Sequence, residues 1–362
     1  MSKIPYSTVE EQIKKLESKH LIITDKQFAF DMLTQYGYYN IINTYKEPYT
    51  HIEDGKEYFN HGVTFEQIYS LFIFDHNIRN NIMASMLSLE EILKASVSEI
   101  LSNAFGTHPD DYLKIQNFSD RNCKRRFRLS TMLDKFKDTI QNTDKEPIKH
   151  YRDDRNCVPP WILMKNVFLT DLVNFIKLFR SREKEVLVKK LYKNADKLED
   201  LEFLKNLLSD TLAICNEFRN LAAHGARIYN YQPISNMRID NDRIEVLNEI
   251  IPNISCLANT HGIAQLTLTL DFLKYREPYE TLYNAITYEI NRHLTTYPQD
   301  MQLLSDIIGV VIEHIPMVWF KEGAKCYHST PHCSNLRNPS IMPITEMENN
   351  GYIKCKRCFP TE

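Results

Sequence analysis

Between residues 64 and 104, apolar side chains recur in steps of three and four for longer than anywhere else in the chain. The series is Leu71, Phe74, Ile78, Ile82, Met86, Leu89, Leu93, Val97, Ile100 and Ala104. Such spacing, held this long, predicts one long amphipathic helix. Thr64 with Gln67 three residues on has the form of a capping box at its start. Asp75, Arg79, Glu90 and Glu91 fall on or beside the polar face, either as a solvated face with local ion pairs or as support for a site. A second strong pattern covers residues 201–222, with Leu201, Leu204, Leu208, Leu212, Cys215, Phe218 and Ala222 on one stripe and Gly225 placed to end the helix. Thr8 with Glu11, and Asp25, announce two short helices near the N-terminus, the second running towards Tyr36. Further helices are predicted over 262–273, 279–294 and 300–315. Only 9 glycines are present, which also favours helices, so the expected fold class is all-α.

Residues 37–62 read as turn-rich, 141–160 as a polar linker or large loop with Pro147, Pro159 and Pro160, and 237–247 as a small hairpin around Asp240-Asn241-Asp242. The predicted organisation is an N-terminal helical extension (1–62), a helical domain (63–295), a connecting helix (296–320) and a small C-terminal module (321–362). Neither GxGxxG nor GxxxxGK[ST] occurs, which disfavours nucleotide binding. Lys and Arg number 44 against 47 Asp and Glu, a net charge of −3, so a nucleic-acid contact would need a local patch. The densest is Arg121, Lys124, Arg125, Arg126 and Arg128, a candidate RNA-phosphate surface or simply a solvated run. The N-terminus has no apolar signal core, and the apolar stretch 303–320 is broken by Asp306, Glu313, His314 and Pro316. A cytoplasmic protein without a membrane partner is expected, and its 8 cysteines are not read as a disulfide framework.

The second long helix ends in Phe218-Arg219-Asn220-Leu221-Ala222-Ala223-His224-Gly225. Metal-free RNA cleavage needs a proton acceptor for the 2′-hydroxyl, a donor for the leaving 5′-oxygen and positive charge on the phosphorane-like transition state. Histidine titrates near neutrality and can do either proton transfer, while arginine supplies a fixed charge and a fork matched to phosphate. At 100° per residue Asn220 and His224 share a face, but Arg219 and His224 diverge by about 140°. The helix must deform there, or two copies must pool these groups, as a symmetric homodimer would. The plain structural alternative is a locally paired Arg219 and a helix-end His224 favoured by the dipole.

The segment from Glu217 through His224, Gly225, Arg227 and Tyr229 to Asn230 resembles the "RN…(A)H…R…(Y/W)N" signature of the abortive-infection AbiD/AbiF family, whose core is a HEPN domain. Tyr38-Tyr39-Asn40 through Tyr49 resembles that family's aromatic tract, Thr64 through Ile92 its long first helix, and Pro160-Trp161 the start of its middle segment. The resemblance implies a HEPN-like helical bundle and a metal-independent endoribonuclease of phage defence, or a toxin restrained by a small structured RNA. It assigns Arg219 and His224 to catalysis, with Asn220 orienting or contacting phosphate. Gly225 stands where many members have a second His, so no role transfers there. Ala226 stands where HEPN toxins silenced by adenylylation carry Tyr, so that control is not expected. The alternative is a non-catalytic HEPN scaffold that binds RNA or protein.

Four cysteines fall at the C-terminus, including Cys355-Lys356-Arg357-Cys358. A Cys-x-x-Cys knuckle with an upstream pair is the pattern of a tetrahedral zinc site. Cys333, Cys355 and Cys358 are candidate ligands, and His328 or Cys326 is the fourth. Residues 327–355 resemble the zinc-binding module of Ada-type DNA repair proteins, which is also attached to some nucleases. That family usually has three residues between His and Cys, whereas four separate His328 from Cys333. The Zn2+ is expected to be a structural staple, with no cofactor needed for catalysis. Lys325, Arg337, Lys354, Lys356 and Arg357 leave nucleic-acid contact, including duplex DNA, as the functional option.

Overall fold

The computed structural model describes residues 6–119, 128–235, 248, 256, 260–309, 316–330, 333, 336 and 339–359. The basic residues Arg121, Lys124, Arg125 and Arg126, the predicted hairpin over 237–247, and Arg337 lie outside the described residues. The chain divides into two compact units, Met1–Ile78 with Asn284–Glu362, and Arg79–Tyr283.

In the first unit, helices α1 (Val9–Ser18) and α2 (Lys26–Tyr36) begin as predicted. Thr8 Oγ1 accepts from the Glu11 N–H at 3.3 Å, and Glu11 accepts from the Thr8 N–H at 2.9 Å, closing the box. Asp25 accepts from the Phe28 N–H at 2.9 Å and caps α2. The turn-rich stretch holds an antiparallel hairpin, β1 (Thr50–Glu53) and β2 (Lys56–Phe59). Its two turn residues, Asp54 and Gly55, both have positive φ, as a two-residue hairpin turn matched to strand twist requires.

The long predicted helix is α3 (Phe65–Phe105), 41 residues. Leu71, Phe74, Ile78, Ile82, Met86, Leu89, Leu93, Val97 and Ile100 are all buried, whereas Ala104 is exposed. Thr64 caps the helix through the Gln67 N–H at 3.1 Å, but the Gln67 side chain does not complete the box. It donates instead to Asp300, at 2.9 and 3.0 Å. Asp75 is also displaced from its expected place on the polar face, since it is fully buried and accepts from the Tyr45 hydroxyl at 2.5 Å. It lies four residues after Leu71 and three before Ile78, so the helix turns it inward with the apolar stripe.

Asp300 is the hub of a buried polar chain in this unit. Tyr49 donates to it at 2.7 Å and His293 Nε2 at 2.8 Å. His293 Nδ1 faces the Ser70 hydroxyl at 2.9 Å, which accepts from Arg292 Nη1 at 3.1 Å. Burial holds His293 below its usual pKa. Burial would raise that of Asp300, but the His293, Gln67 and Tyr49 donors outweigh it and hold the carboxyl low.

The second unit contains α4 (Pro109–Tyr112), α5 (Leu129–Asn142), α6 (Ile148–Asp153), α7 (Pro160–Leu163), α8 (Leu169–Lys177), α9 (Ser181–Leu191), α10 (Glu202–Ala223) and α11 (Gly262–Asp271). The polar stretch 141–160 includes α6, whose Arg152 donates to the carbonyls of Ile140, Gln141 and Thr143 at the end of α5. Phe118, Phe136, Phe175 and Phe179 form an aromatic cluster with centroids 4.9–6.2 Å apart. The core of α10 is Leu204, Leu208, Leu212, Cys215 and Phe218, all buried, and the helix packs against α8, α9 and α11.

Helix α12 (Glu277–Thr296) runs from the second unit back into the first, and α13 (Met301–Ile308) ends at Gly309, shorter than the predicted 300–315 within the described residues. A four-stranded sheet follows, built from β3 (Met317–Phe320), β4 (Cys326–His328), β5 (Ser340–Pro343) and β6 (Ile353–Lys354), with α14 (Ile344–Asn349) between the last two. Strand order is β5-β3-β4-β6, and only the last pairing is parallel. The fold class is therefore mostly helical rather than all-α: two small sheets interrupt the helices.

Candidate functional site

The histidine motif terminates α10 in the way its glycine dictates. His224 is the C-cap, and Gly225 follows with φ +68°. The Gly225 N–H reaches the Ala222 carbonyl at 3.2 Å, and the Ala226 N–H reaches Leu221 at 3.0 Å. Those two bonds are a Schellman motif, which needs a left-handed residue at the position Gly225 occupies. His224 is exposed at this corner.

One turn back, Arg219 and Asn220 are half-buried, and Arg219 Nη1 donates to Asn220 Oδ1 at 3.0 Å. The structure thus brings Arg219 and Asn220 together and sets His224 beyond them. The chain leaving the helix is anchored by the buried side chains of Ile228 and Tyr229. The Arg227 guanidinium lies 5.6 Å from the Tyr229 ring centroid, a cation–π contact. Glu217 latches this exit segment by accepting from the Tyr231 hydroxyl at 3.2 Å, the Ile234 N–H at 2.9 Å, the Ser235 N–H at 3.0 Å and the Ser235 hydroxyl. Arg79 of α3 donates to the carbonyls of Gly225 and Ala226. The first-helix pattern flagged Arg79 but gave no sign of its partner, because a contact 146 residues distant leaves no local periodicity. Of the basic run, Arg128 is described, exposed at the start of α5.

In the first unit, His328, Cys333, Cys355 and Cys358 bring their donor atoms within 4.8 Å of one another, close enough to hold one metal ion. Cys333 Sγ is 4.0 Å from Cys355 Sγ, and Cys358 Sγ is 3.6 Å from His328 Nδ1. The Ser329 N–H points at Cys358 Sγ from 3.4 Å, and its hydroxyl donates to the Cys358 carbonyl at 2.7 Å. Backbone N–H groups of Arg357 and Cys358 hold the Cys355 thiol below its usual range, and burial keeps His328 towards its neutral form. Thiolate and neutral imidazole are the ligating states, although burial and the Cys358 and Cys355 thiols push Cys333 the other way, up to about 11. Cys326 stands outside the set, 3.7 Å from His328 Nε2, the nitrogen that faces away from Cys358. Around the cluster, Val318, Tyr327 and Met347 are buried, with Phe320, Met342, Ile344, Tyr352 and Phe359 packed against them.

No helix among the described residues is long and apolar enough to cross a membrane. Comparison with curated proteins and with solved structures returns no match. Residues 31–230 match the family model of the Abi-like proteins. That span runs from α2 through the histidine turn and is more than half the sequence, so the chain belongs to the Abi-like, abortive-infection family.

Proposed function

We propose that this chain is a cytoplasmic phage-defence effector of the abortive-infection kind, a HEPN-type endoribonuclease acting through Arg219 and His224. The observation that supports it most is the histidine turn: an exposed imidazole on a Schellman-closed helix end, one turn from a half-buried Arg–Asn pair. In this reading His224 takes the proton from an RNA 2′-hydroxyl. The 2′-oxygen bonds to phosphorus as the P–O5′ bond breaks, leaving a 2′,3′-cyclic phosphate and a 5′-hydroxyl once the leaving oxygen is protonated. Arg219 offsets the charge on the phosphoryl oxygens and Asn220 orients it. Because Arg219 and His224 diverge on one helix, a symmetric homodimer pooling two copies is the arrangement that aims both at one phosphate. A small structured RNA is a candidate restraint.

The C-terminal cluster is read as a structural zinc site. Zn–S near 2.3 Å and Zn–N near 2.0–2.1 Å in a tetrahedron place donors about 3.5–3.8 Å apart. The 3.6 Å separation falls in that range, the 4.0 Å one lies just above it, and all four donors lie within 4.8 Å of one another. His328 Nδ1 and the three thiolates of Cys333, Cys355 and Cys358 would hold the ion.

The second reading, a non-catalytic RNA- or protein-binding scaffold, draws on the Arg219–Asn220 hydrogen bond, which satisfies the arginine without His224. Incubating wild type and His224→Ala with total and defined RNAs in EDTA, after mass spectrometry confirms that the zinc is retained, separates the two. Cleavage by the wild type with cyclic-phosphate or 3′-phosphate ends, reduced about 10²–10⁴-fold in the variant, is the expected result. Intact RNA in both samples, despite tight binding, would favour the scaffold.

A further inference from the structure

Arg79 stands on α3, half-buried, and one of its nitrogens, Nη1, donates to the carbonyls of both Gly225 (2.8 Å) and Ala226 (3.3 Å). These are the two carbonyls that follow His224. We propose that Arg79 is a positioning residue for His224: it fixes the turn that carries the imidazole, and its charge offsets the negative end of α10. This rests on the reading of His224 as the proton-transferring group.

The last carbonyls of a helix carry roughly half a negative charge and favour an imidazolium beside them. A general base must instead be neutral when it accepts the proton. Arg79 bonds the two carbonyls just beyond that end, so a permanent cation stands beside it and weakens its pull. Among the described residues, charged groups at or near the turn come from three elements. Arg79 comes from α3, Arg219 and Glu217 from α10 itself, and Arg227 from the exit segment, where Tyr229 and Tyr231 are the other titratable groups. The Glu217 carboxylate is turned to Tyr231, Ile234 and Ser235, and Arg227 lies against Tyr229. Arg79 hydrogen-bonds the turn from a different helix, α3. An arginine on carbonyls at a helix end does not alone decide the matter, since Arg152 holds those of Ile140, Gln141 and Thr143 at the end of α5 without a candidate site beside it. The test must therefore read His224.

The full chain, labelled with ¹⁵N-histidine, is titrated by NMR, with the His224 signals assigned from their loss in His224→Ala. RNA cleavage is followed across the same pH range. In Arg79→Ala the His224 midpoint should rise, since losing a cation at this end of α10 favours the imidazolium. The acid limb of kcat should move with it, and kcat should fall about ten-fold or more with KM little changed. Arg79→Lys keeps the charge but gives up the planar donor, so the midpoint should stay while kcat falls. An unmoved His224 midpoint in a folded Arg79→Ala chain overturns the assignment. If that variant does not fold, wild-type kcat in Arg79→Lys overturns it instead. A wild type that cuts no RNA defeats the nuclease reading and the catalytic consequence of Arg79. A shifted His224 midpoint in the same sample would still retain its electrostatic role.

Discussion

An ionised Asp300 has no proton to give, so His293 must present Nε2–H to it, and Nδ1 is left with a lone pair for the Ser70 hydroxyl. Ser70 then has its oxygen free to accept from Arg292, and every bond in the chain runs in one direction, from cation to anion. The arrangement works only with His293 neutral, and burial holds its pKa below the ordinary 6.5. A depressed histidine pKa means the unfolded chain binds the proton more readily. The stabilisation is therefore complete above pH 6.5 and is lost as pH falls from there towards the folded-state value. Asp300 acts in the same sense at lower pH, below its ordinary 3.8. The unfolding free energy from urea titrations should drop between pH 7 and pH 5, by up to about 1.4 kcal/mol for each unit crossed. His293→Gln can keep a donor to Asp300 and an acceptor for Ser70 without titrating, so it should flatten that dependence. An equal slope in the variant would place the acid sensitivity elsewhere.

At the level of elements, the end of α10 was legible because its apolar stripe stops where a glycine follows, and the backbone there demands positive φ. Nothing lies within 4 Å of a Cβ built on Gly225, so Gly225→Ala meets no clash and its cost is backbone strain alone. About 1 kcal/mol of stability should be lost in thermal or urea unfolding, and less with Gly225→Asn, which tolerates the left-handed region. A neutral Gly225→Ala would mean that the turn re-forms with another geometry. The α3 stripe was equally readable, since ten periodic positions between Leu71 and Ala104 leave little choice of structure. What could not be read were the features decided from afar. Gln67 abandons its local cap for Asp300, and Asp75 is buried opposite Tyr45, because distant partners outweigh local preference. The strands are two to four residues long, too short for alternation to show, so only the Asp54-Gly55 turn left a trace.

For the whole molecule, the residues of both candidate sites were named by motif, but the geometry that ranks them was not. Spacing left His328 and Cys326 open as fourth donor. The fold favours His328 by turning its Nδ1 towards Cys358, while Cys326 lies against Nε2 and beside Cys355. Among the described residues, the segment around them packs on a core of Val318, Tyr327 and Met347, with Met317 also buried, which is small for four strands and a short helix. Ligation of a structural zinc contributes on the order of 10 kcal/mol or more in small modules of this kind, so the sheet should depend on the metal while the helices elsewhere do not. Trp319 reports on this directly, since it sits in β3 opposite His328, and the chain has just 2 tryptophans. In a Trp161→Phe background, a strong chelator should shift Trp319 emission to the red while far-UV helix signal is largely kept, and Zn2+ but not Mg2+ should restore it. His328→Ala should lose the metal and the emission together, whereas Cys326→Ser should keep one ion per chain. Unchanged Trp319 emission after verified metal loss would show that this small core stands without its staple, and metal loss in Cys326→Ser would return the fourth position to that thiol.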